Sequence, residues 1–218
     1  MIPDVKKAAI DCQRFGAQGI TIHPRPDERH IRRNDVYEIK SVVTTEFNIE
    51  GYPSRDFIQL AKEAKPDQVT LVPDAPDVIT SNAGWDTIKN KTFLKEIVEE
   101  LKSFGCRVSL FIDPDEEMIE HASETNADRV ELYTEAYASN FGNNKEKAIE
   151  PYLTASKKAR EVNLGLNAGH DLNLKNLNYL FLNIPWLLEV SIGHALISDA
   201  LYFGLDNTIQ LYLRQLKK

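Results

Sequence analysis

A parallel α/β sheet closed into a barrel is the fold this sequence predicts: a (β/α)8 TIM barrel of which seven strands are visible. Three observations predict it. Seven short runs rich in apolar and β-branched residues alternate with segments of helical periodicity, the signature of βα units on a parallel sheet, doubly wound or closed. The runs are near-continuously apolar, as parallel strands covered on both faces require. The 218 residues, 42% of them hydrophobic, suit one barrel domain spanning 1–218, and no low-complexity linker divides them.

Pro3 and Asp4 open a first helix, in which Val5, Ala8, Ala9 and Cys12 recur at helical spacing until Gly16 ends it. The predicted strands are 19–23 (GITIH), 47–50 (FNIE), 69–73 (VTLVP), 108–113 (VSLFID), 130–134 (VELYT), 165–169 (GLNAG) and 189–193 (EVSIG). Helical patterns fill 34–43, 54–64, 91–104, 115–125, 145–162, 173–182 and 194–203, with a last amphipathic helix near 205–217. Asn34 with Asp35, Ser54 and Asp115 stand where an N-cap would satisfy orphan N–H groups. The stretches 65–69 (KPDQV) and 105–109 (GCRVS) read as tight αβ turns. In a closed barrel each helix follows its own strand, so a chain beginning on a helix implies a first strand upstream. Without it, 19–23 and 189–193 are open sheet edges that invite aggregation. A chain in this form is expected to be poorly soluble, inactive, or both.

A net charge of −7 argues against nucleic-acid and polybasic membrane partners, which need a basic footprint. It leaves room for a small anion held by a few local cations and backbone N–H groups. No apolar run approaches the ~20 residues of a membrane span, and the first residues lack the tripartite form of a signal peptide. Cys12 and Cys106 share no metal-ligand spacing. They read as buried free thiols, which fits a reducing cytoplasm.

Barrel enzymes carry their chemistry at the C-terminal ends of the strands. Those ends are His23, Glu50, Pro73, Asp113, Glu131 with Thr134, His170 and His194. Three of the five histidines therefore close strands. One histidine there is commonly structural, and Glu50 alone could be a solvated strand end; three histidines converging with two glutamates point to acid–base chemistry. Period-two alternation turns Glu131 away from Val130 and Leu132 and into the barrel, where burial would raise its pKa and suit it to proton transfer. The loop 23–33 carries Arg25, Arg29, His30, Arg32 and Arg33. By itself it reads as a solvated loop with ion pairs to Asp27 and Glu28; at a strand end its arginine forks suit a phosphate. Gly169-His170 and Gly193-His194 each put a glycine before a histidine at a strand-to-helix junction, where backbone N–H groups can approach an anion. No lysine falls in a strand, which disfavours Schiff-base chemistry. With neither a P-loop nor a GxGxxG after a strand, no nucleotide cofactor is implied.

The segments GITIHPRPDERHI, FNIEG, TLVPDAPDVITSNAGWD, VSLFIDPD, VELYTEAYA, LNAGHDLN and SIGHALISDAL resemble successive signatures of the pyridoxine 5′-phosphate synthase family, from about Pro3 to the end of the chain. That resemblance implies a barrel enzyme of vitamin B6 biosynthesis. It condenses 1-deoxy-D-xylulose 5-phosphate with 3-amino-2-oxopropyl phosphate without a cofactor or metal, and assembles as an octamer. It further implies that His23 and Glu50 are general bases, His170 a proton donor, and Glu131 an aid to proton transfer or a charge stabiliser. Arg25, His30 and Thr80 would contact the deoxyxylulose phosphate, and Asp171, Gly193 and His194 the aminoketone phosphate. Asp171 replaces a glycine of some members, which matters little if only its backbone N–H is used. Two rivals stay open: a metal-dependent sugar-phosphate epimerase or aldolase using His23, Glu50, Glu131 and His170 as ligands, and an inactive remnant that binds a phosphate or a partner.

Overall fold

The computed structural model describes residues 3–74 and 83–217. Helix α1 (Val5–Arg14) is capped by the Asp4 carboxylate, which accepts from Lys7 N at 2.9 Å. The rest alternates as β1 (Gly19–Ile22), α2 (Arg33–Lys40), β2 (Glu46–Gly51), α3 (Arg55–Ala64), β3 (Gln68–Leu71), α4 (Lys91–Ser103), β4 (Arg107–Ile112), α5 (Glu116–Ser123), β5 (Arg129–Tyr133), α6 (Glu135–Phe141), α7 (Lys145–Glu161), β6 (Gly165–His170), α8 (Leu177–Asn183), β7 (Glu189–Ile192), α9 (His194–Phe203) and α10 (Leu205–Gln215). All strand pairs are parallel and the sheet order is sequential from β1 to β7, giving a nearly closed barrel.

Several expected boundaries move for local reasons. Helix α2 is capped by Arg32, not by Asn34 or Asp35; the Asp35 carboxylate reaches back to Arg32 N at 2.9 Å and to the Arg32 guanidinium. Ser54 and Asp115 cap α3 and α5 as expected. Strand β3 ends at Leu71, so Val72 and Pro73 lie beyond the pairing. Helix α6 was not expected; it turns directly off β5. Helix α8 starts only at Leu177, because Asn173 and Asn176 tie a turn between them, with Asn173 N donating to Asn176 Oδ1 at 2.8 Å. The expected αβ turns place Lys65 (φ 47°) and Gly105 (φ 88°) in the left-handed region. Both cysteines are free; Cys106 is buried and Cys12 only half-buried.

From β2 to β6 the strands are buried on both faces, as expected, but the runs are not apolar throughout. Phe47, Ile49, Val69, Leu71, Val108, Leu110, Ile112, Val130, Leu132, Leu166 and Ala168 are fully buried and make the core between sheet and helices. Each Val, Leu, Ile or Phe among them contributes roughly 1.5–3 kcal/mol. The alternate positions, which face the barrel axis, are Thr21, Asn48, Thr70, Ser109, Glu131 and Asn167. Asn48 Nδ2 donates to Thr21 Oγ1 at 3.3 Å and to Thr70 Oγ1 at 3.1 Å. Nearer the N-terminal end, Arg107 bonds Gln68 Oε1 at 2.8 Å and pairs with Glu46. Arg129 reaches Asn167 Oδ1 at 3.2 Å and Glu189 Oε2 at 2.9 Å. Apart from Phe111, which shares the parity of Ser109 and packs on Tyr133, polar side chains thus line an axis that barrels usually pack with Val, Ile and Leu.

Strands β1 and β7 are the sheet's edges, with no pairing between them among the described residues. Helix α10 joins the two ends of the ring of helices. It packs on α8, α9 and α1, burying Ile209 and Tyr212, and Gln210 Nε2 donates to the Phe15 carbonyl at 2.7 Å. Helix α9 stays open on its outer side: Leu201 is 82% and Tyr202 84% exposed, with Ile197 and Phe203 beside them. No helix among the described residues is long and apolar enough to cross a membrane.

Candidate active site

Parallel pairing delivers the polar strand ends to one mouth. His23, just past β1, has Nδ1 3.5 Å from Glu50 Oε1 on β2. Glu131 on β5 lies deeper, 3% exposed. Burial first, then the Glu50 and Glu189 carboxylates, pushes its pKa well above the usual carboxylate range. Its Oε2 has no hydrogen-bond partner among the described residues, and the same holds for Ser109 Oγ and Asn167 Nδ2 nearby on the axis. Burial and the nearby Glu50 and Glu189 charges thus favour the protonated form of Glu131.

His170 ends β6 with φ 96°, a conformation that non-glycine residues adopt rarely and at a cost of ~1–3 kcal/mol. Its Nδ1 lies 2.7 Å from Asp171 Oδ2. A carboxylate can only accept, so Nδ1 carries the proton of that bond. Tyr133 stands edge-on to the His170 ring at 5.3 Å, and His194 edge-on from the other side at 6.0 Å. Thr134 locks the junction: its N and Oγ1 both donate to the Gly169 carbonyl, at 3.1 and 2.8 Å, and Asp171 N donates to Thr134 Oγ1 at 3.3 Å. Gly193 is the N-cap of α9 and His194 its first residue, both exposed, so that the helix opens on the mouth with its N–H end.

Of the loop arginines only Arg25 turns inward. It is 8% exposed, with Nη2 3.0 Å from Asp74 Oδ2, itself 7% exposed. Arg29, Arg32 and Arg33 are exposed and engage Asp27, Asp35 and Glu63, and Glu28 accepts from Arg33 N. The solvated-loop reading therefore holds for those three. His30 is exposed on the same loop. Pro73 is half-buried, and exposed Asp113 accepts from Gly84 N at 3.1 Å instead of facing the histidines. Thr80 lies outside the described residues. Among the described residues no three His, Cys, Asp or Glu side chains are grouped to hold one metal ion.

Two members of the site were missed. Asp74 follows VTLVP by one residue and could have been found as the carboxylate next to that strand end. Tyr133 is the Tyr of VELYT, and its parity with Glu131 on the barrel-facing side was the available signal. Gly169 was singled out as half of a Gly-His turn, but its closeness to the Glu131 carboxyl was not.

The described fold is shared with solved structures of low sequence identity. N-(5′-phosphoribosyl)anthranilate isomerase from Pyrococcus furiosus superposes with a TM-score of 0.65 at 14% identity, covering 96% of this chain and 92% of that one. The phosphoribosyl anthranilate isomerase of Thermotoga maritima gives 0.64 at 12% identity, covering 98% and 94%. In sequence, the family model of "Pyridoxal phosphate biosynthesis protein PdxJ" matches residues 1–218. A pyridoxine 5′-phosphate synthase from Cytophaga hutchinsonii is 65% identical over 216 residues, 99% of this chain and 91% of the relative. One from Phocaeicola vulgatus is 62% identical over 210 residues, 96% of this chain and 88% of the relative.

The neutral Glu131 makes a prediction about stability. Because its folded pKa is raised, the folded chain holds a proton that the unfolded chain releases above about 4.5. The stability that the neutral form contributes is full below that value and declines as pH rises toward the folded pKa. Glu131→Gln has no such proton to lose. The melting temperature of the variant minus that of the parent should therefore grow as pH rises above about 4.5. A difference that stays flat across this range would mean that Glu131 is ionised in the folded chain.

Proposed function

The chain belongs to the PdxJ family of pyridoxal phosphate biosynthesis proteins, and from that membership we propose that it is a pyridoxine 5′-phosphate synthase, working as a single barrel domain over residues 1–218. The reaction is the condensation of 1-deoxy-D-xylulose 5-phosphate with 3-amino-2-oxopropyl phosphate to pyridoxine 5′-phosphate, with phosphate and water released. The observation that best supports it is the gathering of His23, Glu50, Glu131, His170 and His194 at one mouth. Ring closure consists of imine formation, elimination of phosphate and water, and C–H deprotonations. Both substrates bring their own carbonyl activation, so acids and bases around one cavity, with an anion site at each end, suffice.

In this reading the residues divide the work by position. Glu50, beside His23, takes a proton, and His23 is the second base at the same wall. Glu131 holds a proton at the floor and supplies it, or a hydrogen bond, to oxygen developing charge above it. A proton on Glu131 also relieves Glu50 of a like charge next to it. His170, held through Nδ1 by Asp171, donates to the departing group from Nε2 in its imidazolium form, in which both ring nitrogens carry a proton. Arg25 and His30, with Thr80, form the deoxyxylulose-phosphate end. Asp171, Gly193 and His194, at the N–H end of α9, form the aminoketone-phosphate end. No nucleic acid or membrane partner enters this scheme. The two unpaired thiols suit a reducing compartment, and we place the enzyme in the cytoplasm, where a cell fraction assayed for the chain would test it.

The outer side of α9, with Ile197, Leu201, Tyr202 and Phe203 in water, supports assembly into a homo-oligomer. Light scattering at micromolar concentration should give a mass several times that of one chain; a monomeric mass removes this reading.

Two sets of variants test the chemistry. Glu50→Gln and His170→Asn should each lower kcat by ~10²-fold or more while the unfolding transition stays close to the parent's. Near-parental turnover in either one takes that residue out of the mechanism. At the phosphate ends, Arg25→Ala should be made together with Asp74→Asn, since removing the guanidinium alone leaves a buried carboxylate short of its cation. That pair should weaken deoxyxylulose-phosphate binding more than aminoketone-phosphate binding, and His194→Ala should do the reverse. Calorimetry with each ligand separately reads both, and equal losses for both ligands in both variants would refute the assignment.

A further inference from the structure

We propose that Gly169 is a positioning residue for Glu131: bare of a side chain, it opens the slot in which the Glu131 carboxyl lies and so fixes that carboxyl at the floor of the mouth. A Cβ built on Gly169 would stand 2.2 Å from Glu131 Oε1 and 3.3 Å from its Cδ, and 3.1 Å from Ser191 Cβ on the opposite neighbour. The position is thus walled by β5 on one side and β7 on the other, and a methyl group has no free volume to enter. The requirement for glycine is one of space. Gly169 is not among the residues with positive φ, so its backbone conformation is open to any residue.

Nor can the backbone yield. Gly169 lies inside the pairing of β6 with both neighbours, in register with Tyr133 and Ser191. Its carbonyl accepts two hydrogen bonds from Thr134, and the next residue is the strained His170. Moving Gly169 would displace Thr134 and His170 together. The carboxyl is the movable partner in the contact, being the far end of a flexible side chain. A methyl at 169 therefore displaces the acid and leaves the strand in place. The site contains no substitute for it: Glu131 makes no side-chain hydrogen bond that would hold its Oε2, and the slot is what confines it.

The catalytic part of this inference rests on the role given to Glu131 above; the geometric part does not, and the test separates them. Infrared difference spectra of the intact protein, with Glu131→Gln marking the band of the protonated Glu131 carboxyl, read its environment without turnover. Gly169→Ala should shift or abolish that band. In kinetics, Gly169→Ala should lower kcat by ~10²-fold, the scale of a misplaced catalytic group, while KM for both substrates changes by about two-fold or less. Glu131→Asp withdraws the carboxyl by one methylene and vacates the slot. Adding Gly169→Ala to Glu131→Asp should then cost under about three-fold, the non-additivity that marks direct contact. An unshifted band, or losses that multiply in the double variant, would overturn the proposal and leave Gly169 as ordinary strand packing. If Gly169→Ala alone does not fold, the double variant still decides: recovered folding supports the slot, and continued failure overturns it. A parent that turns over neither ketone phosphate would sink the functional reading, and the infrared result would still judge the slot.

Discussion

Parallel pairing is the constraint from which the rest of this molecule follows. Two neighbouring strands that run the same way cannot be joined by a tight turn, so each connection must cross back over the sheet, and here it does so through helices. Those helices take the apolar face of every strand, from Phe47 and Ile49 on β2 to Leu166 and Ala168 on β6. The same polarity brings seven C-terminal strand ends to one mouth. Residues as far apart in the chain as His23 and His194 share a site because the strands share a direction, and the helical packing that enforces that direction lies on the outside, away from the chemistry.

The inner face then meets a different demand. An axis lined with Thr21, Asn48, Thr70, Ser109, Glu131 and Asn167 forgoes the apolar packing that stabilises most barrels, and several of its polar atoms are left without protein partners. Such groups cost roughly 1–3 kcal/mol each when unpaired. What the arrangement secures is a buried carboxyl that keeps its proton. Burial, and then the proximity of the Glu50 and Glu189 carboxyls, push the Glu131 pKa up and favour its protonated form. An apolar axis would bury the acid equally well but would offer no group to pass a proton to. A wetter one would let it ionise. The slot at Gly169 is the spatial side of the same compromise, since an acid that is useful only when un-ionised has to be held by shape and not by a cation.

How much of this was legible in the chain depends on the range of the forces involved. The strands were readable because apolar runs and β-branched residues report burial locally, and Glu131 because an acid between Val130 and Leu132 can only point inward. The α6 helix escaped because seven residues are too few for a periodicity to show, and the start of α2 because an arginine at the cap position draws its support from Asp35 three residues on. The arginine loop shows the limit most plainly. Residue type and spacing leave Arg25, Arg29, Arg32 and Arg33 equivalent, and only the family resemblance pointed to Arg25; in the fold it is set apart by Asp74, 49 residues away and adjacent only after β1, β2 and β3 have paired. Gly169 is the same case in miniature, its role set by a carboxyl on the next strand.

The two open edges bear on the site more than on the core. His23 follows β1 and Gly193-His194 follows β7, the two strands left unpaired with one another among the described residues. Between β2 and β6 the ladder fixes the spacing of Glu50, Glu131 and His170 hydrogen bond by hydrogen bond. Across the gap no ladder among the described residues does so; α10 spans the two ends of the ring there, packing on α1 and α9 and donating from Gln210 to the Phe15 carbonyl. Glu50, Glu131 and His170, on which the proposed proton transfers rest, are thus spaced by backbone pairing itself, and their relative positions do not depend on how the helices close the ring.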